Sequence, residues 1–188
     1  MARVLIIMGN PKPNSLCNSI CDEYERGAKS AGHQVEVFKL NQIEPKTKAG
    51  HDETYVPAEW VKLQQDAVTN CNHIVLITPM WWGTMTAALK SYIDQVFISG
   101  VTFRYREDGG YDKLCQGKTS EVIITSDTPK WVYFTFMGAP LVKTFKMHIL
   151  EFCGFKFKGA TMFSPTIKST SEKRANWLKT AFALGQKI

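Results

Sequence analysis

The chain of 188 residues has no long apolar run and no paired-cysteine pattern. Its amino-terminal apolar run, residues 4–8 (VLIIM), is too short for a signal peptide or a membrane span. The five cysteines form an odd set without a C-x-x-C pair, so we predict neither a disulfide framework nor a zinc site. His33, His51 and His73 show no ligand spacing with one another, and we predict no metal. Reduced thiols without a targeting segment indicate a cytoplasmic protein.

Several familiar motifs are also missing. Neither G-x-G-x-x-G nor a Walker loop follows the first apolar run. No G-x-S-x-G elbow is present, so Ser15, His148 and Asp127 are not expected to form a hydrolase triad. The net charge is +6, but the basic residues are scattered, which argues against a nucleic-acid stripe. A positive surface does suit an anionic, phosphate-bearing substrate such as a nicotinamide dinucleotide.

What the sequence does contain is a regular alternation of short apolar segments and amphipathic segments. Buried or half-buried strands are predicted at residues 4–8, 33–40, 74–78, 119–125 and 157–163. Helices are predicted from a cap at Asn14 or Ser15 to about residue 31, and at about 57–71, 86–97, 140–152 and 171–184. The expected inward residues of the second helix are Trp60, Leu63, Ala67 and Val68, with Pro57 in its first turn, and Ser171 is the expected cap of the last helix.

The remaining segments are predicted as connections. Residues 41–56 are polar and form a long connection, and residues 101–105 form a hairpin or an excursion with the region around Tyr111. Because strands alternate with helices throughout, we expect one domain, residues 1–188, of the α/β class. Its predicted architecture is a flavodoxin-like, doubly wound, five-stranded parallel sheet with strand order 2-1-3-4-5.

In that order the loops that follow strands one and three meet at the switch point of the sheet. The first loop, residues 9–15 (GNPKPNS), precedes a capped helix whose free N–H groups and dipole suit a terminal phosphate. The second loop, residues 79–84, carries Trp81 and Trp82 beside a glycine and offers a stacking platform. Residues 125–130 complete the rim. A phosphorylated flat molecule, above all a flavin, is the predicted ligand, although a plain capped helix and packing of both indoles in the core stay open.

Three segments of the chain resemble the NAD(P)H:quinone oxidoreductase family of flavodoxin-like flavoproteins. They are VLIIMGNPKPNSLCNSI, TPMWWGTMTAALKSYIDQVFISGVTFRY and ILEFCGFK. The middle segment is the specific one, because family members show a proline, a tryptophan, A-x-L-K and an acidic residue before V-F. The chain departs from the family at Asn10-Pro11, where a histidine is usual, at Thr86, where proline is common, and at TSDTP, which replaces a glycine-rich loop.

The resemblance implies a set of cofactor-binding positions. Those near the flavin phosphate and ribityl chain are Asn10, Ser15, Leu16 and Cys17; those along the isoalloxazine edge are Pro79, Met80, Trp81, Trp82 and Gly83; those of the third flavin loop are Thr125, Ser126 and Asp127. It also implies FMN, with FAD as the alternative, and NAD(P)H as co-substrate. A homodimer is implied too, consistent with a set of aromatics expected to be exposed: Phe103, Tyr105, Trp131, Tyr133, Phe134 and Phe136.

The implied reaction is a two-step, ping-pong exchange on one face of the flavin. NAD(P)H delivers hydride and leaves, and a quinone or another electron-poor aromatic, such as a nitro or azo compound, then accepts it. Tyr133 is the candidate proton donor, with a core or interface position equally open. Two alternatives stay open: a flavodoxin-type electron carrier, which the charge of +6 disfavours, and a redox-sensing regulatory subunit.

Overall fold

The computed structural model describes residues 1–40 and 57–188, so the predicted connection at 41–56 lies outside the described residues. The strands are β1 (Arg3–Met8), β2 (Gln34–Lys39), β3 (His73–Pro79), β4 (Phe103–Tyr105), β5 (Tyr111–Lys113), β6 (Thr119–Thr125) and β7 (Lys156–Phe163). The α-helices are α1 (Leu16–Ser30), α2 (Glu59–Asn70), α3 (Ala87–Val96), α4 (Pro140–Lys143), α5 (Glu151–Cys153) and α6 (Ser171–Gly185). A π-helical segment, Thr144–Leu150, joins α4 to α5, and another spans Val132–Phe136.

Five strands form one parallel sheet in the order β2-β1-β3-β6-β7, which confirms the predicted flavodoxin-like order. The remaining two, β4 and β5, form an antiparallel hairpin between α3 and β6, as the turn signal at residues 108–110 predicts. Because all four strand pairings in this sheet are parallel, the carboxyl ends of β1, β3 and β6 lie side by side at one edge of the sheet.

Both faces of the sheet are buried, because consecutive side chains of β1 and β3 point into two different cores. Leu5, Ile7 and Leu76 belong to the core under α2, α3 and the helix from residue 140 to 153. Their neighbours Ile6 and Ile77 belong to the core under α1 and α6. The wholly apolar runs seen in the sequence follow from this two-sided burial.

Helices α1 and α6 pack backbone against backbone. A Cβ atom added at Gly27 of α1 would collide with the Phe182 carbonyl of α6, and one added at Gly185 would collide with the Tyr24 carbonyl of α1. Both positions therefore require glycine, and the last helix is held close to the one that follows the first loop.

Three details of the helix predictions are wrong. Pro57 is not in the first turn of α2, because Ala58 is the N-cap, and Leu63 is exposed rather than inward. Gln64 is buried in its place, since its side chain donates to a Glu36 carboxylate oxygen (3.0 Å) and accepts from the Tyr92 hydroxyl (3.1 Å). Thr170, not Ser171, caps α6. None of the helices in the described ranges is both long and apolar enough to cross a membrane.

Because every cysteine is buried, we expect stability to fall at alkaline pH. Burial raises the pKa of Cys21 and Cys115 to about 12 and that of Cys71 to about 11. An unfolded thiol titrates near pH ~8.5 and releases its proton first. The contribution is therefore complete below that pH. It is lost from about pH 8.5 up to about pH 11 for Cys71 and up to about pH 12 for Cys21 and Cys115, at roughly 1.4 kcal/mol per pH unit per thiol. Urea unfolding at stepped pH with a phosphine reductant measures the slope.

Cys21→Ala is the control for this prediction, because it removes one of the raised groups and lowers the slope. A free energy of unfolding that stays constant across this pH range in the native chain would contradict the prediction.

Candidate functional site

Three loops lie together at the carboxyl edge of the sheet, and backbone hydrogen bonds hold them in register. The Gly9 N–H donates to the Ile77 carbonyl (2.7 Å), which continues the β1–β3 pairing into the first loop. The Met80 N–H donates to the Thr125 carbonyl (2.8 Å), and the Ser126 N–H donates to the Phe163 carbonyl (3.1 Å). The predicted meeting of the loops is confirmed, and each loop is tied to the next strand of the sheet.

The first loop, residues 9–15, is ordered by its own polar side chains. Ser15 is the N-cap of α1 and forms a reciprocal capping box with Asn18. The buried Asn10 side chain donates to the Ser15 hydroxyl (2.9 Å) and accepts from the Lys12 N–H (3.0 Å). These bonds fix the path of the loop from the end of β1 to the first turn of α1.

The same loop leaves N–H groups free at its inner end. Within the described ranges, the N–H groups of Asn14, Leu16 and Cys17 donate no hydrogen bond to the protein. The first N–H groups of a helix point outward beyond its amino terminus, where the dipole favours an anion. Asn14 has a positive φ of 53°, and such a backbone bend next to a helix start gathers N–H groups into a concave site. The arrangement fits one terminal phosphate.

The second loop, residues 79–84, is a tight two-residue turn. Trp81 and Thr84 exchange N–H···O bonds of 3.0 Å in both directions, and Trp82 and Gly83 between them have φ values of 52° and 75°. Positive φ at both central residues is the geometry of a type I′ turn. The N–H groups of Trp82 and Gly83 have no partner within the described ranges. They remain available to an acceptor on a ligand.

Trp82 is unusual in two respects. Its side chain is fully exposed, and its backbone lies in the left-handed region that bulky residues rarely adopt. Such strain costs on the order of 1 kcal/mol and accumulates at functional sites. Among the described residues this indole has no packing role, so burial does not explain its position on a strained turn.

The first and second loops also touch through side chains. The Lys12 ammonium lies 5.9 Å from the centroid of the Trp81 ring, a cation–π distance. Nothing in the sequence marks Lys12 as functional, because a lone lysine in a proline-rich loop carries no distinctive signal. The structure places its charge over the Trp81 ring, so Lys12 links the first loop to the second.

The third loop begins with two buried hydroxyl residues. Thr125 Oγ1 lies 3.2 Å from Cys17 Sγ, which joins this loop to α1. Burial raises the pKa of the Cys17 thiol, and the hydrogen bond to Thr125 partly offsets this effect. Asp127 turns away toward the segment after β7, where one carboxylate oxygen accepts from the Thr166 hydroxyl (2.8 Å) and the Ile167 N–H (2.6 Å). Asp127 therefore fixes the segment beyond β7.

The predicted cofactor-binding residues thus fall into three groups by exposure. The buried members are Asn10, Cys17, Pro79, Thr125 and Ser126; the partly exposed members are Ser15, Leu16, Met80 and Gly83; the exposed members are Trp81, Trp82 and Asp127. The buried members hold the loops in place, and the others, with the free N–H groups, form the surface. Their contact with a flavin stays a prediction.

The proposed proton donor is not at this surface. Tyr133 is fully buried, and its hydroxyl accepts from the N–H groups of Leu141 (3.0 Å) and Val142 (3.3 Å). Burial raises the pKa of this phenol. Because its side chain has no exposed surface, a ligand cannot reach it in this conformation. The same burial corrects its inclusion among the exposed aromatics, and Phe103 is half-buried against Phe152.

The other predicted aromatics are exposed, namely Tyr105, Trp131, Phe134 and Phe136. Two of them, Trp131 and Phe134, line an apolar depression of about 700 Å³ beside the third loop, together with Pro129, Lys130, Ser164 and Pro165. A second cleft, of about 660 Å³, lies between β2 and α2 and extends to Arg3 and Asn70 near the amino end of the sheet. It is away from the three loops. The described ranges contain no group of side chains that could hold a metal ion.

A comparison with models of known protein families identifies the family to which this fold belongs. The model described as flavodoxin-like fold matches residues 2–181. The chain belongs to the flavodoxin-like fold family. It is 25% identical over 166 residues to the FMN-dependent NADH:quinone oxidoreductase of Coprothermobacter proteolyticus, a match that covers 80% of this chain and 83% of that protein. Its counterpart in Caldicellulosiruptor bescii is 25% identical over 190 residues, covering 82% and 90%.

Solved structures of similar shape agree with this assignment of the flavodoxin-like fold. Smu.1420 from Streptococcus mutans UA159 has a TM-score of 0.84 and 25% identity, covering 99% of this chain and all (100%) of that one. NAD(P)H:quinone oxidoreductase from Methanothermobacter marburgensis has a TM-score of 0.78 and 18% identity, covering 99% and 95%, which shows the fold alone. The resemblance to the NAD(P)H:quinone oxidoreductase family is confirmed.

Replacing Trp82 with asparagine separates a structural role from a functional one. Asparagine tolerates a positive φ, so we expect Trp82→Asn to leave the free energy of unfolding unchanged or to raise it by about 0.5–1 kcal/mol. Thermal unfolding of the ligand-free protein measures this. Trp81→Asn is the matched control, because it removes a neighbouring indole without relieving strain. A loss of more than about 1 kcal/mol in Trp82→Asn alone would show that the indole is structural.

Proposed function

We propose that the protein is a flavin-dependent NAD(P)H oxidoreductase that uses FMN to pass hydride to a quinone. The observation that carries the proposal is the pairing of the two switch-point loops, one with free N–H groups at a helix start and the other with free N–H groups beside two indoles. The named activities of the relatives in Coprothermobacter proteolyticus and Caldicellulosiruptor bescii support it. The chain would act as one flavin-binding domain, residues 1–188.

The residues present fit FMN at both of its ends. The N–H groups of Asn14, Leu16 and Cys17 would hold the phosphate, and Lys12 of the same loop would help to balance its charge. The N–H groups of Trp82 and Gly83 would bind carbonyl oxygens of the ring system. Three free N–H groups beside one helix end suit a single terminal phosphate, which favours FMN over FAD. A structure of an FMN-dependent NADH-azoreductase from Bacillus anthracis in complex with FMN has the same fold, with a TM-score of 0.77.

FMN, when bound, supplies acceptance and donation of hydride, and the protein supplies orientation and electrostatics. The free N–H groups of the second loop would stabilise negative charge on the pyrimidine end of the ring. The exposed indole of Trp82 would cover a flat substrate and exclude water from it. One open face would receive NAD(P)H and the acceptor in turn, which is the basis for a ping-pong order. Quinones, nitroaromatics and azo compounds are flat and electron-poor, and we propose them as acceptors.

Purified protein tests the proposal directly. We expect a yellow protein, or a colourless one that binds added FMN, and oxidation of NADH or NADPH that depends on a quinone. Parallel lines in double-reciprocal plots would support the ping-pong order, whereas intersecting lines would contradict it. Protein that binds neither FMN nor FAD in a fluorescence titration overturns the redox assignment. Tight flavin binding without turnover would favour the electron carrier or the redox-sensing subunit.

We also propose that two copies of the chain associate through the exposed aromatics beside the third loop. Trp131 and Phe136 are both largely exposed and lie edge to face with centroids 5.8 Å apart. Exposed aromatics in a cluster usually mark an interface. The five free thiols support a reducing compartment, for which we propose the cytoplasm.

A charged substitution in this cluster tests the homodimer. We expect the native chain to elute from size exclusion at the mass of two chains and Phe136→Asp to elute at the mass of one, because a carboxylate would be desolvated at the interface. Leu63→Asp is the control, since Leu63 is also an exposed apolar residue and lies on α2. A native chain that is monomeric and fully active at low concentration would contradict the proposal.

A further inference from the structure

Thr86 joins the two loops of the site through a single hydroxyl group. It is buried, it is the N-cap of α3, and it follows the indole turn by two residues. Its Oγ1 donates to the Gly9 carbonyl in the first loop (2.5 Å) and accepts from the Leu89 N–H in α3 (3.2 Å). The bond to Gly9 spans 77 positions of the sequence. The hydroxyl therefore couples the start of the first loop to α3, the helix that follows the indole turn.

Gly9 is the junction on the other side of this contact. Its N–H donates to the Ile77 carbonyl of β3 (2.7 Å), so both of its polar backbone groups are bonded to the β3–α3 unit. A Cβ atom added at Gly9 would lie 3.0 Å from Leu89 Cδ2. The first loop is thus packed closely against α3 as well as hydrogen-bonded to it.

We propose that Thr86 is a positioning residue that sets the spacing between the anion cradle and the indole turn, and thereby favours FMN over riboflavin. This inference rests on the proposed function. FMN would engage both loops at once, whereas riboflavin lacks the phosphate and would engage the second loop alone. Loops that are already at the right separation lose less conformational freedom when one ligand bridges them. A broken contact therefore weakens FMN binding more than riboflavin binding.

Thr86→Val is the first test, because valine has the same shape and lacks the hydroxyl. We expect the FMN dissociation constant to rise about tenfold, the size of one net hydrogen bond, and that of riboflavin to change less than about twofold. Thr86→Ser retains both hydrogen bonds and should restore the native ratio of the two affinities. Flavin fluorescence titration measures each constant. General loss of structure would weaken both ligands alike and leave the ratio unchanged.

Two further variants keep the test decisive. The φ of Thr86 is −66°, which proline adopts, so Thr86→Pro replaces Thr86→Val if the valine variant does not fold. Thr170→Val is the matched control, because the Thr170 hydroxyl caps α6 by accepting from the Lys173 N–H (3.1 Å), a bond within its own helix rather than between loops. It should leave both affinities within about twofold of the native values.

The outcomes separate this inference from the proposed function. If the native chain binds FMN and Thr86→Val keeps the native affinity ratio, the inference is overturned and the function stands. If the native chain binds no flavin, the proposed function is wrong. Amide hydrogen exchange of the ligand-free protein then tests whether the Thr86–Gly9 hydrogen bond couples the two loops. Faster exchange at Gly9 and Lys12 in Thr86→Val than in Thr170→Val supports the coupling. Equal exchange in the two variants overturns it.

Discussion

The candidate site depends on the continuation of the β1–β3 hydrogen bonding beyond the end of the sheet. The bond from the Gly9 N–H to the Ile77 carbonyl is the last of that series and the first of the loop. Because the strands beneath it are buried on both faces, they cannot shift to accommodate a displaced loop. The sheet therefore sets the distance between the cradle at the start of α1 and the turn at the end of β3.

The strands of the sheet are rigid, whereas the loops at their carboxyl edge contain residues in energetically unfavourable positions. The turn at Trp82 holds a bulky residue at positive φ and leaves its indole in water, and several more aromatics near the third loop are exposed. A chain selected only for stability would remove such features, since each one lowers the free energy of unfolding or promotes association. Their concentration around one sheet edge is what binding of a flat ligand and a second copy would require.

The departures from the family pattern acquire a physical meaning in the structure. Thr86 stands where proline is common, and its hydroxyl supplies a bond between loops that proline cannot make. Asn10 stands near the position of a usual histidine, and its amide orders the loop from within through Ser15 and Lys12. The segment that replaces a glycine-rich loop is tied down through Asp127 to the residues after β7. Each replacement supports the loops by side-chain hydrogen bonding.

The sequence by itself determined the class of the fold, the order of the strands and the loops that meet at the switch point. These follow from local signals, because buried parallel strands are continuous apolar runs and right-handed crossovers leave few possible orders. Only the tertiary structure decided which side chains face the site. Tyr133, expected among the exposed aromatics, is buried, and Leu63, expected to face inward, is exposed. The rotation of a helix or turn depends on hydrogen-bond partners, such as the Leu141 N–H for Tyr133, that no sequence pattern marks. The role of Thr86 depends on a residue 77 positions away, which no local pattern can reveal.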